Sequence, residues 1–242
     1  MTHEIQPPDD LQAAQQGRLL ARPQTLGDHP VADLAPPSPG IHALGLAGAD
    51  GRDGLLYVPS GYDSTHPAPL ALLLHGAGGA ARGGLDPLLP LADAAGMLLL
   101  APNSRLLTWD IIMGGYGPDV AFIERALAHV FARFVVDATH LAIGGFSDGA
   151  SYALSLGPTN GDLFTHIIAF SPGFKIRREL RGSPKVFISH GIHDAILPID
   201  RCSRRIVREL RAAGDEIDYR EFDGPHTVPP EIASAAVEWF TG

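Results

Sequence analysis

The chain has 242 residues, of which 45% are hydrophobic and 19% charged, with a formal net charge of −9. That length suits one α/β core. The acidic balance excludes a nucleic-acid binder, which needs a basic face, and no run of about 18 apolar residues is present to span a bilayer. Cys202 is the only cysteine, so an intrachain disulfide and a cysteine zinc cage are excluded. Residues 1–10 lack the basic start and apolar run of a signal peptide, which makes a cytoplasmic location the default expectation.

Residues 1–40 are rich in proline, among them Pro7, Pro8, Pro23, Pro36, Pro37 and Pro39, which disfavours regular structure. Within them residues 18–22 read as a short edge strand. Leu19, Leu20, Leu26 and Val31 give this stretch something to bury, so it is expected to be an arm packed on a domain formed by residues 41–242. Residues 41–46 and 55–58 read as antiparallel strands joined by a turn through Gly48, Asp50, Gly51 and Gly54. Residues 70–74 and 97–101 read as apolar strands, and 141–143, 167–170, 186–189 and 217–222 complete the set.

Apolar strands need cover on both faces, and helical patterns fall between them at 85–95, 119–134, 148–156, 200–213 and 230–240. The clearest has Val120, Ile123, Leu127, Val130 and Phe134 on one stripe, with Pro118 at its start. The basic residues between 201 and 211 lie on a solvated face opposite Ile206, Val207 and Leu210. Alternating strands and helices predict a three-layer α/β/α sandwich around a mostly parallel twisted sheet, with ligand sites at the carboxyl ends of its strands.

The strand at 141–143 runs into Gly145-Phe146-Ser147-Asp148-Gly149, a G-x-S-x-G that opens a helical pattern. The five-residue motif alone is weak; strand before and helix after make it a nucleophile elbow, whose tight turn needs the room that Gly145 and Gly149 leave. Two partners fall after later strands, Asp194 in His190-Gly-Ile-His-Asp194 and His226 in Phe222-Asp-Gly-Pro-His226. Ser147, Asp194 and His226 then stand in the order nucleophile, acid, base. His226 would take the proton of Ser147 while Asp194 fixes the imidazole tautomer. The oxyanion donors expected are the backbone N–H of Asp148 and, from the loop His75-Gly76-Ala77-Gly78-Gly79, that of Ala77.

These residues together resemble the α/β-hydrolase fold, specifically its small phospholipase/carboxylesterase group related to dienelactone hydrolases, over roughly residues 55–240. The resemblance implies a serine carboxylesterase acting on short- or medium-chain acyl esters, with no metal and no cofactor. Many members carry Gln after the nucleophile; Asp148 departs from that, and its carboxylate is expected to disfavour anionic substrates. Thioesters, lactones, aryl esters and polyesters stay open, as does a homo-oligomer. The alternative of another class is a non-catalytic ligand-binding protein on the same scaffold.

Weaker signals surround the site. His75 and Gly76 follow their strand into it, although a histidine there more often orients a loop than donates to substrate. Trp109 either lines the pocket or anchors the 103–110 loop, in which Arg105 is expected to pair with Asp110 and which Gly114, Gly115 and Gly117 would let move. Phe174 is a candidate pocket wall. His190 and His193 form an H-x-x-H, but no helix or third ligand accompanies them. Asp200 and Asp223 are rival acids, the first opening a helix and the second too near His226 in sequence. Gly76-Ala-Gly-Gly-Ala-Ala81 matches a dinucleotide fingerprint, whose required acid at the end of the next strand is replaced by Ala101-Pro-Asn103.

Overall fold

The computed structural model describes residues 8–24, 38–176 and 178–242. Eight strands form one sheet in the order β1-β2-β4-β3-β5-β6-β7-β8. They are β1 (Gly40–Ala43), β2 (Gly54–Val58), β3 (Ala68–Leu74), β4 (Leu98–Pro102), β5 (Val136–Phe146), β6 (His166–Phe170), β7 (Lys185–Gly191) and β8 (Ile217–Phe222). β2 is antiparallel to both its neighbours, and β3 to β8 run parallel.

The side-chain alternation of β3 explains the layers. Leu70, Leu72 and Leu74 enter a core shared with Val120 and Ile123 of α3 (Pro118–Phe131), Leu154 of α4 (Asp148–Thr159) and Ile206 of α5 (Ser203–Ala212). Ala71 and Leu73 face the other way, onto Leu85 of α2 (Ala81–Leu85) and Ile232 and Phe240 of α6 (Pro230–Thr241). Both sheet faces are thus covered, as the apolar strands require.

Three expectations are corrected. The helix read at 85–95 is the short α2 followed by a single 3₁₀ turn, Leu89–Leu91, because Pro87 and Pro90 each remove a helical N–H donor. Residues 18–22 form no strand, and a helix, α1 (Pro8–Gln15), stands where irregular chain was expected. Leu19 is fully buried but Leu20 is exposed; Leu26 and Val31 lie outside the described residues. β5 also starts earlier than its apolar run, since Val136 already pairs with Ala68 of β3 across a register shift.

Candidate active site

β5 ends at Phe146, Ser147 turns, and α4 starts at Asp148. Ser147 has φ 56° and ψ −117°, a conformation that costs an L-residue on the order of 1–3 kcal/mol and persists only where its surroundings enforce it. Its N–H donates to Phe170 O at 2.9 Å, tying the turn to β6. Glycine is required on both sides: a Cβ on Gly145 would stand 2.5 Å from Leu74 O, and one on Gly149 2.1 Å from the same atom. The strand-to-helix turn can close only because these two positions lack side chains.

Asp194 and His226 arrive on the loops after β7 and β8, at the same end of the sheet. His226 Nδ1 lies 2.5 Å from Asp194 Oδ2. A carboxylate can only accept there, so Nδ1 carries the proton and Nε2 is the basic nitrogen. The His226 ring packs on Phe146 at 4.5 Å between centroids, beside the nucleophile's own turn. Ser147 Oγ is not hydrogen-bonded to His226 in this structure.

Burial acts to raise the pKa of Asp194, but N–H donation from Leu197, its bond to His226 and N–H donation from Ile196 outweigh it and hold the carboxyl below its ordinary range. The two backbone donors sit at 2.8 and 2.9 Å from Oδ1.

His190 is the partner the sequence did not reveal. It is fully buried, with Nε2 at 2.7 Å from Leu197 O and 3.1 Å from Asp194 Oδ2. Leu197 O can only accept, so Nε2 carries hydrogen and Nδ1 accepts from the Ser203 hydroxyl at 2.6 Å. Burial holds this imidazole below its usual pKa, and it stands beside the acid as a neutral ring whose Nε2–H is held by Leu197 O. His193 points away, 68% exposed and paired with Asp223. The rival acids are equally outside, Asp223 at 87% and Asp200 at 79% side-chain exposure, the latter bound to Arg204. Among the described residues no group of three or more His, Cys, Asp or Glu is placed to hold a metal.

The loop after β3 lies against the elbow, since a Cβ on Gly76 would be 3.4 Å from Ser147 Cβ. Gly79 N–H closes a turn on Gly76 O at 3.0 Å, and its third residue, Gly78, has φ +67°, a value that favours glycine. Ala77 is exposed at the turn's crest, and among the described residues its N–H has no backbone partner outside regular elements. Asp148 N–H is the first of α4, where helical donors are unsatisfied and the dipole favours negative charge.

Beneath this loop His75 is structural. Its Nδ1–H donates to Gly76 O at 2.8 Å and its Nε2 accepts from Ser104 N–H at 3.1 Å, and burial lowers its pKa. Trp109 is fully buried, donating its indole N–H to His75 O at 2.9 Å and packing between His75 and Tyr152. It anchors the 103–110 loop from below. Arg105 pairs with Asp50 at 3.2 Å instead of Asp110; Asp110 is already bound by Tyr152 Oη and by the N–H groups of Gly117 and Asp119. Asn103, where a dinucleotide site would need an acid, accepts Ala81 N–H at 2.7 Å. Phe174 is half-buried on the segment after β6, its N–H 3.4 Å from Ser151 Oγ.

No family model matches the chain. A probable feruloyl esterase C of Aspergillus clavatus is 30% identical over 166 residues, covering 65% of this chain and 60% of the relative; the chain thus spans about three fifths of the curated relatives it matches. Among solved structures, esterase PE8 superimposes with a TM-score of 0.63 at 22% identity, over 78% of this chain and 97% of that one. The ferulic acid esterase Fae1A of Anaeromyces mucronatus gives 0.61 at 16% identity, over 86% and 91%.

Proposed function

We propose that this chain, a member of the α/β-hydrolase superfamily, is a serine carboxylesterase that works through an acyl-enzyme on Ser147. The observation that carries the reading is the His226–Asp194 hydrogen bond beside a serine held at φ 56°. His226 Nε2 takes the Ser147 hydroxyl proton as Oγ bonds the ester carbonyl carbon, a contact that tightens as substrate binds. The N–H groups of Ala77 and Asp148 receive the oxyanion. The tetrahedral intermediate collapses as His226 returns the proton to the leaving alkoxide; water then repeats the sequence and frees the acid.

Exposed Leu106, Leu107, Ile192 and Ile196 on the loops after β4 and β7 favour an apolar acyl or aryl group at the mouth, with Phe174 as a further wall. The feruloyl esterases among the relatives bring aryl-substituted cinnamoyl esters into the same proposal. No helix among the described residues is long and apolar enough to cross a membrane; a cytoplasmic location, no nucleic-acid partner and an open oligomeric state complete the reading.

The test is a panel of p-nitrophenyl acetate, butyrate and octanoate with methyl ferulate, run on wild type and Ser147→Ala. Wild type should show a burst of p-nitrophenol and covalent labelling by a fluorophosphonate. Ser147→Ala should lose at least about 10³-fold in kcat; undiminished turnover in that variant refutes the assignment.

A further inference from the structure

We propose that Thr108 is a positioning residue for the oxyanion hole, and that residues 107 and 108 act as a clip joining its two halves. The inference rests on the esterase reading above. One half is the turn that carries Ala77, the other the elbow that carries Asp148, and they come from positions about 70 residues apart in the sequence. Consecutive residues of a third segment hold both. Leu107 O accepts Gly78 N–H at 2.7 Å, and Thr108 Oγ1 donates to Asp148 Oδ2 at 2.6 Å. The β3–β5 pairing of Leu74 with Gly145 brings the two halves side by side, and these two consecutive residues bond to both of them beyond the strand ends.

That pair is well footed. Before it, Ser104 N–H is bound to His75 Nε2 and Arg105 N–H to Asp119 Oδ1. After it, the Trp109 indole is bound to His75 O and Asp110 N–H to Asp119 Oδ2. Leu106 and Leu107 project outward, 55% and 79% exposed, so the crest is held through its backbone and the Thr108 hydroxyl alone. The hydroxyl also holds the Asp148 carboxylate in place. Without it, an anionic side chain adjoining an oxyanion donor is free to turn toward the developing charge, which like-charge repulsion penalises in the transition state more than in the ground state.

The experiment compares Thr108→Val, Thr108→Ser, Asp148→Asn, Asp148→Ala and the double variant Thr108→Val/Asp148→Ala, using p-nitrophenyl butyrate kinetics, the rate of fluorophosphonate labelling and thermal unfolding. Valine keeps the shape of threonine and removes the donor. Thr108→Val should lower kcat roughly 10- to 100-fold with KM changed less than about threefold, the signature of an interaction felt in the transition state, and labelling should slow in parallel. Thr108→Ser should restore most of the rate. Asp148→Asn, which keeps an acceptor for Thr108, should lose less kcat than Asp148→Ala, and an equal loss counts against the clip. The double variant should be no worse than Asp148→Ala alone, since the two side chains act as one unit.

The proposal is overturned if Thr108→Val keeps wild-type kcat, if serine fails to rescue, or if the losses of Thr108→Val and Asp148→Ala multiply. Failure of the esterase reading looks different: wild type itself is then inactive on every ester and unlabelled, and both statements fall together.

Discussion

Asp194 is a buried acid that keeps its charge, and each of its oxygens shows how. Oδ1 takes the N–H groups of Ile196 and Leu197; Oδ2 takes His226 and lies 3.1 Å from His190 Nε2. His190 Nε2–H holds Leu197 O and with it the turn whose N–H groups serve Oδ1, and a carboxylate with weaker donors pulls harder on the proton of His226. Removing His190 should therefore make the His226–Asp194 pair more basic. His190→Leu is expected to move the acid limb of the kcat/KM pH profile to higher pH and to cost roughly fivefold at neutral pH, the ~1 kcal/mol of one hydrogen bond. A profile superimposable on wild type would assign His190 to stability alone. Ser147, Asp194 and His226 were legible in the sequence because each directly follows a readable strand, so topology brings them to one end of the sheet. His190 and Thr108 were not, because what defines them is a partner: Leu197 and Ser203 for one, Asp148 for the other. His190 stands in an H-x-x-H whose spacing raises only the question of a metal, which the missing helix and third ligand set aside; a spacing cannot say what an imidazole will face.

The loop between β4 and α3 owes its shape to two buried carboxyls that accept each other's backbone N–H groups. Asp119 Oδ2 binds Asp110 N–H at 2.7 Å, and Asp110 Oδ2 binds Asp119 N–H at 2.9 Å. Burial, and next the neighbouring Asp110 charge, push the Asp119 pKa up to about 6 from 3.8. An acid whose folded pKa is raised binds more protons folded than unfolded, so its contribution to stability falls as pH rises between about 4 and 6 and is flat above. The stability of wild type relative to Asp119→Asn should accordingly decline from pH 4 to pH 6.5, measured by urea unfolding of both proteins at several pH values. A difference that is constant or grows with pH contradicts this. None of this network was legible from the sequence, where Asp119 was only the first acidic residue of a helix. Strand identities were readable from apolar runs, whereas the order that places β3 between β4 and β5 depends on pairings among distant segments. The helix expected at 85–95 fails for a local reason: Leu85, Leu88, Leu89 and Leu91 are spaced like a helix face, but Pro87 and Pro90 interrupt its hydrogen bonding.

At the scale of the whole molecule, residues 17–22 are fastened at the far end of α4 from the nucleophile, roughly 18 Å away over 12 residues. Asn160 does most of this. It is fully buried, its Oδ1 accepting Leu19 N–H at 2.8 Å and its Nδ2 donating to Gly17 O at 2.7 Å and Leu156 O at 3.0 Å. Nearby, Arg18 and Arg22 both reach Asp162, but Asp162 is 37% exposed, and pairs that meet water contribute at most about 1 kcal/mol. Asn160→Ala leaves the Leu19 N–H and the Gly17 carbonyl buried without partners, at about 1–3 kcal/mol each. For a chain of this size each kcal/mol lowers Tm by roughly 2–4 °C, so Asn160→Ala should melt on the order of 10 °C lower while Asp162→Ala shifts by a few degrees at most. Because the 12 residues of α4 separate Asn160 from the triad, kcat and KM on p-nitrophenyl butyrate at 25 °C should match wild type in both variants. A rate loss in Asn160→Ala at a temperature where it remains folded would mean that residues 17–22 bear on the site through α4, and that fastening and catalysis are coupled rather than separable.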